Sequence, residues 1–379
     1  MRANKMKLSP LPYIRNNKGR TSALIISITM FMVMMYMLDY IIGCMDEPFR
    51  QMWEEPFQHQ RDISVGLGFT SEDFDSDEAF LDAAWNTMYE ATGKIETIDG
   101  IKKALVYGYQ YVTIHSLVGE SSVSAYLFGK KEECEYYLED LNAKLVSGRM
   151  PEEPGEIVVD EKVRANQPDD SALMKGMGAQ YKIVGTVSSG SYPVFGIAYP
   201  GENNVCMLLL TTKDASYDFK PDIEKLGYEC TYYYDLAKAE KNFVDSMGSM
   251  DTVRKLFVGV SGSLLLICVV VVMSIHIMDR HNEWCLEHSI GFGTGEIYIM
   301  ALKELLISIG AAVLMGIVIS WLGVFFMEKL VNNPIGISVH CWRPKAVPLI
   351  LVVIGCLLAI IQIPLFHGMK KIQTIDAIE

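Results

Sequence analysis

The side chains able to do chemistry are spread thinly along this chain. Seven histidines and eight cysteines are scattered, with no CxxC, no HExxH and no clustering at metal-ligand spacing. Gly93-Lys94 and Gly129-Lys130 each lack the upstream glycine of a phosphate-cradling GxxxxGK[ST] loop, and no GxSxG nucleophile elbow occurs. The paired acids Asp169-Asp170 and Glu152-Glu153 fall in loop-like, solvated contexts. His276 reads as a polar residue near a membrane edge rather than a catalytic one. The chain is expected to be non-catalytic, holding no metal or other cofactor of its own.

One stretch stands apart, DRHNEWCLEHSIGFGTGEIYIMALKE at 279–304. Three helical turns fit Arg280 to Ile290 and place Glu283, Leu286 and Ile290 on one stripe, flanked by Trp284 and His288. Gly291, Gly293 and Gly295 then break the helix, and Thr294 caps the next one, with Glu296 in its first turn where the helix dipole favours an acid. A helix lying in lipid headgroups would want lysine and arginine opposite its apolar stripe. Here Glu283, Glu287 and Glu296 outweigh Arg280, so a protein socket fits this face better than anionic lipid.

What positions that stretch is a membrane. Half of the 379 residues are hydrophobic, and the apolar residues are gathered into blocks at 22–44, 256–278, 304–327 and 346–366. Each block reaches the ~20 residues that a helix needs to cross ~30 Å of hydrocarbon. The N-terminal segment 1–21 carries Arg2, Lys5, Lys7, Arg15, Lys18 and Arg20 with no acid, which places it in the cytoplasm by the positive-inside bias. Four spans return the tail, 367–379 with Lys370 and Lys371, to the same side. The 279–303 loop then faces in, and residues 45–255 face out with 37 acids against 20 bases counted along the sequence. The ending IIGC at Cys44 also resembles a lipoprotein cleavage site, but the apolar run is longer than a signal core and Asp39 and Tyr40 interrupt its end. Asp39 and Glu304 sit near opposite edges of their spans, so no polar line crosses the bilayer centre. Asp39 could bond a partner helix or reach for water. Gly310, Gly316 and Ser320 could let helices approach closely.

The outer segment 45–235 reads as a mixed α/β domain. Ser76 caps a helix with Phe80, Leu81, Ala84 and Met88 on its apolar face and Gly93 as its stop. Strands are expected over ISVGLGF, ALVYGYQYVTI, EIVVD, YKIVGTV and VCMLLLTT, and a second helix over KEECEYYLEDLNAKLVSG with Gly148 as its stop. Cys134, Cys206, Cys230 and Cys341 allow one disulfide and no cystine framework. Residues 236–255 contain no proline and form a helical stalk about 30 Å long, with Gly248 its soft point, running straight into the second span. A short outer loop, 328–345, joins the last two spans. The fold class is therefore a multi-pass α-helical membrane protein with four transmembrane helices and a mixed α/β extracytoplasmic domain between helices 1 and 2.

The 279–304 stretch resembles the signature of the FtsX-like and MacB-like (type VII) ABC transporter permeases, R-x-R-E-I-x-x-L-K-A-L-G-A followed by an isoleucine and a glutamate. The matching positions are Arg280, Glu283, Leu286, Gly291, Ile297 and Glu304, with glutamate, glycine, isoleucine and glutamate eight, six and seven residues apart. Asn282 replaces the second basic residue, and His288-Ser289 the usual Lys-Ala. NNKGRTSAL before the first span, LVSGRMPEEPGEIVVDE with MGAQYKIVGTV in the outer domain, and the terminal KKIQTIDAIE resemble further family segments in the family's order.

The resemblance implies a division of labour. Residues 256–379 would form the FtsX-like permease domain and 45–235 a MacB-like periplasmic core, in a bacterial cytoplasmic membrane with both termini inside. ATP and Mg would be bound by a separate cytosolic ABC ATPase subunit. Arg280, Glu283, Leu286, Ile290 and Gly291 would form the coupling helix that seats in it, and a second permease would complete a homo- or heterodimer. The task would be export or sensing of peptides, lipids or drugs. The alternatives are a regulator whose outer domain activates an extracellular cell-wall hydrolase without moving a substrate, and a passive anchored binding protein. An adaptor, peptide or hydrolase is the expected outer partner, and no nucleic acid is.

Overall fold

The computed structural model describes residues 11–16, 18–116, 119–177, 181–199, 206–214, 216–337 and 346–375. Cys341, the segment 338–345 and the last residues of the tail lie outside them. The chain divides into two units: a membrane unit of 1–42, 250–327 and 340–379, and an outer unit of 43–249 and 328–339.

Ten helices and nine strands are named here in chain order. Helix α1 (Leu11–Asn16) precedes α2 (Lys18–Trp53), and strand β1 (Gln60–Val65) opens the outer unit. Helix α3 (Asp77–Ile95) is followed by β2 (Ile101–Ser116), β3 (Gly119–Phe128), α4 (Lys131–Asp140), β4 (Lys144–Gly148) and β5 (Glu156–Asp160). Next come α5 (Glu161–Asn166), α6 (Asp170–Leu173), β6 (Lys182–Ser188), β7 (Val194–Ile197), β8 (Cys206–Thr212), α7 (Lys220–Lys225) and β9 (Cys230–Tyr234). The chain then runs through α8 (Leu236–Ser289), α9 (Thr294–Met327) and α10 (Ala346–Ile375).

Four helices of the described chain are long and apolar enough to cross a membrane, at Thr21–Trp53, Leu236–Val272, Thr294–Ile335 and Ile350–Lys370. Within the membrane unit they share a core of Ile28, Phe31, Met35, Val269, Ile309, Ala312, Leu357 and Ile361. Small residues set the close contacts: a Cβ added at Gly316 would meet the Met32 side chain at 3.0–3.3 Å, while Gly310 has open space around it. Thr29 donates its hydroxyl to the Ala312 carbonyl at 3.1 Å. Asp39, expected to reach a partner chain or water, is instead buried and ion-paired at 3.3 Å with Arg254 of α8. A carboxylate at that depth gains more from a fixed cation than from thinned solvent.

The outer unit is built on one nine-stranded mixed sheet in the order β4-β6-β5-β7-β3-β2-β8-β1-β9. The pairs β3·β7 and β5·β6 are parallel, the others antiparallel. Alternation along the strands divides the sheet's faces. On one side Ile63, Val65, Val106, Leu208 and Leu210 pack under α3 and α7 through Met88, Ile95 and Ile223. On the other, Leu105, Tyr107, Leu209, Phe128 and Phe195 pack under α4 through Cys134 and Tyr137.

Several local expectations change. Ser76 does cap α3, accepting the Ala79 amide at 3.2 Å, but the helix runs past Gly93 to Ile95 because Ala91 and Ile95 still have core to bury. The second predicted helix is half the expected length. It ends at Asp140, Asn142 takes a left-handed φ of 50°, and the remaining KLVSG pairs with β6 as an edge strand. Gly148 therefore ends a strand rather than a helix. Strands β3, β4, β7 and β9 are further elements that the sequence pattern did not single out. No disulfide joins Cys134, Cys206 and Cys230.

Candidate functional site

The site is the corner between α8 and α9. Helix α8 continues unbroken past the apolar block to Ser289, so the 280–290 segment is the end of a 54-residue helix rather than a separate one. Gly291 then takes a φ of +103°, a left-handed turn that a side chain would strain. Helix α9 begins at Thr294 itself, the Gly293 amide donating to the Glu296 carboxylate at 3.2 Å. Gly295 lies inside α9, so it does not break the helix, and Thr294 is its first residue rather than its cap.

Two of the residues singled out in the sequence close this corner from within. The Arg280 guanidinium donates to Glu304 at 2.7 Å, with both side chains almost fully buried, and to Glu283 at 3.2 Å through Nε. It also lies 5.7 Å from the Trp284 ring centroid. Trp284, expected on the flank of the stripe, is fully buried and packs with Ile277, Ile297, Met300, Ala301, Leu365 and Met369. Ile297 is likewise fully buried. A buried ion pair of this kind costs desolvation that its geometry must offset, and here it joins the end of α8 to α9. His288 bonds the Phe292 carbonyl through Nδ1 at 2.8 Å, which ties the turn to the helix end. Burial beside Glu283 pushes the Glu287 carboxyl above the usual range, with Arg280 partly offsetting the shift.

The outward stripe is different in kind. Leu286 and Ile290 are 63% and 68% exposed, Glu283 is more than half exposed, and Ser289 and Gly291 lie open beside them. Arg280 is therefore not on the outward face: it is the internal clamp, and Glu283, Leu286 and Ile290 form the surface. Periodicity found the stripe. The ion pair between Arg280 and Glu304 was not legible, because it joins residues 24 apart on two helices whose angle is set by the turn. Among the described residues, no three His, Cys, Asp or Glu side chains converge into a metal site.

No protein-family model and no curated protein matches the chain. Solved structures do. The extracellular domain of the noncanonic ABC-type transporter YknZ from Gram-positive bacteria aligns at 13% identity and TM-score 0.25, over 38% of this chain and 89% of that one. The periplasmic region of MacB from Actinobacillus actinomycetemcomitans aligns at 12% identity and TM-score 0.28, over 52% of this chain and 95% of that one.

Proposed function

We propose that this chain is the permease subunit of an ABC transporter, moved by a separate cytosolic ATPase that holds the ATP and Mg. The observation that carries the reading is the corner at 280–304. A buried Arg280–Glu304 clamp with Trp284 beneath it holds two exposed aliphatic side chains, Leu286 and Ile290, at the end of a long helix.

Exposed leucine and isoleucine one turn apart at the end of a helix are the kind of apolar anchors that seat in a partner's groove, and a rigid mount is what transmitting force requires. A loosely held corner would absorb the push in its own rotamers. Here the clamp makes α8 and the start of α9 move as one, so a displacement of the Glu283, Leu286 and Ile290 face at the end of α8 carries α9 with it across the turn. A second permease completes the assembly in this reading, and the work delivered is movement of the extracytoplasmic domain for export or sensing.

The test is a pull-down from native membrane. An ABC ATPase is expected to accompany the wild-type chain, and Leu286→Asp with Ile290→Asp is expected to lose it about tenfold or more at unchanged thermal stability. If no ATPase accompanies the chain and those substitutions alter nothing, the reading is wrong.

A further inference from the structure

The outer unit holds a concavity on the part of the sheet face that α4 leaves uncovered. Strand alternation builds its floor. Asp62 and Ser64 of β1 stand beside Tyr234 and Tyr232 of β9 in register, and Met207 of β8 stands beside Tyr107 of β2. Tyr109 continues the row, while Met52, Trp53 and Phe57 from the end of α2 and the turn after it complete the wall. The cavity measures ≈ 600 Å³, within the range that binds small organic ligands.

Its chemistry is lopsided. Tyr232 and Tyr234 lie parallel at 6.2 Å, and Phe57 meets Tyr234 edge-on at 4.8 Å. At the base sits Asp62, 9% exposed, whose Oδ1 has no hydrogen-bond partner among the described residues. Among the described residues, no lysine, arginine or histidine lines the cavity. A buried carboxylate without a cation is costly, and aromatic faces attract positive charge through their quadrupoles.

We infer that this cavity is a binding site for an organic monocation with an apolar body, whose charge meets Asp62 and whose hydrocarbon lies against Tyr109, Tyr232, Tyr234 and Trp53. The site goes beyond the permease reading and is independent of the coupling corner, so a failed ATPase pull-down leaves it standing. Burial holds the Asp62 carboxyl at about 7, with the Tyr107 hydroxyl offsetting part of the rise. Among the described residues, the titratable groups coupled to it are Tyr107 of β2, Tyr126 of β3, Tyr137 of α4, and Tyr232 and Tyr234 of β9. All of them are phenols, so Asp62 is the group that changes charge near neutrality.

The experiment is equilibrium dialysis of the full chain in lipid nanodiscs, with tetraphenylphosphonium and its equal-sized anion tetraphenylborate, empty nanodiscs subtracted. The expected result is saturable uptake of the cation, about tenfold or more tighter than the anion, improving about tenfold from pH 6 to pH 8 as Asp62 ionises. Asp62→Asn is expected to remove both the preference and the pH dependence. Tyr232→Ala, at a 45% exposed edge position, is expected to weaken cation uptake several-fold and keeps the test open should Asp62→Asn fold poorly. Equal uptake of the two ions, wild-type cation affinity in Asp62→Asn, or unchanged affinity in Tyr232→Ala overturns the inference.

Discussion

The Arg280 guanidinium and the Glu304 carboxylate meet at 2.7 Å inside the membrane unit, joining the end of α8 to the body of α9 with both groups buried. Removing one partner strands the other. Glu304→Leu alone or Arg280→Met alone is expected to cost about 3–5 kcal/mol, while the two together, which remove both charges and keep the side chains large, are expected to be near neutral. Denaturant unfolding of the single and double variants in detergent measures the coupling. A purely additive cycle would show that the pair does not act as a unit.

The double variant separates stability from transmission. With the clamp gone but the fold intact, binding of the proposed ATPase through Leu286 and Ile290 is expected to persist. On the proposed permease role, ATP-driven movement of the outer domain is expected to fall about tenfold, since α8 can now shift without carrying α9 with it. A spin label on the outer domain, read with and without ATP in the assembled complex, checks this. Undiminished movement would assign the clamp to folding alone.

The membrane helices and five of the strands were legible because their signals are local: long apolar blocks, and short β-branched runs such as EIVVD. The helix over 131–148 was over-extended because the charged spacing of α4 runs on into LNAKLVSG without a proline. The stop signal present was Asn142, a residue that tolerates the left-handed turn it adopts. Strand β3 escaped because four of the ten residues of GESSVSAYLF are serine or glycine, and its strand character comes from pairing with β2 over its whole length. The same limit hid Asp39–Arg254 and Arg280–Glu304, in which each residue was visible and the partner was not. The GRMPEEPGE segment is a middle case. Its spacing marked a motif, and the structure shows the reason, with Arg149 and Glu156 clasping the turn between β4 and β5.

That clasp has an acid signature. The Arg149 guanidinium, with the Glu152 and Glu153 amides, holds Glu156 down to about 2 from an ordinary 4.5. Its folded value lies below its unfolded one, so its contribution is full above pH 4.5 and is lost as pH falls from 4.5 toward 2. Glu156→Gln is expected to cost about 2 kcal/mol at pH 7 and almost nothing at pH 2. Unfolding of the outer unit, followed by near-UV circular dichroism of the full chain between pH 2 and 7, tests it. Parallel curves for the two proteins across that range would rule the clasp out.

Gly148 closes the same region by another route. At φ +75° its missing Cβ would sit 2.2 Å from the Val184 carbonyl oxygen and 2.7 Å from the Gly185 Cα, backbone atoms that cannot rotate away. Gly148→Ala is expected to cost about 3 kcal/mol, combining left-handed strain with overpacking. Gly190→Ala, with open space around it, is expected to change stability by less than about 0.5 kcal/mol. Thermal melts of the two variants decide the comparison, and an equal loss in both would refute it.

Asp62 is expected to behave oppositely to Glu156. Its folded value, about 7, lies above the ordinary 3.8 because burial penalises the charge, so its contribution is full below pH 3.8 and is lost as pH rises through 7. Asp62→Asn keeps the shape and removes that loss. The ligand-free variant is therefore expected to be more stable than wild type by about 1–3 kcal/mol at pH 8, and about equal at pH 4, where both side chains are neutral. A group that weakens the fold at neutral pH and could be relieved by one amide is maintained at a cost, which is the pattern of a residue kept for binding rather than for folding. Unfolding curves at the two pH values measure this. A variant less stable than wild type at pH 8 would make Asp62 a structural residue with satisfied partners, and the buried acid would then need no cation.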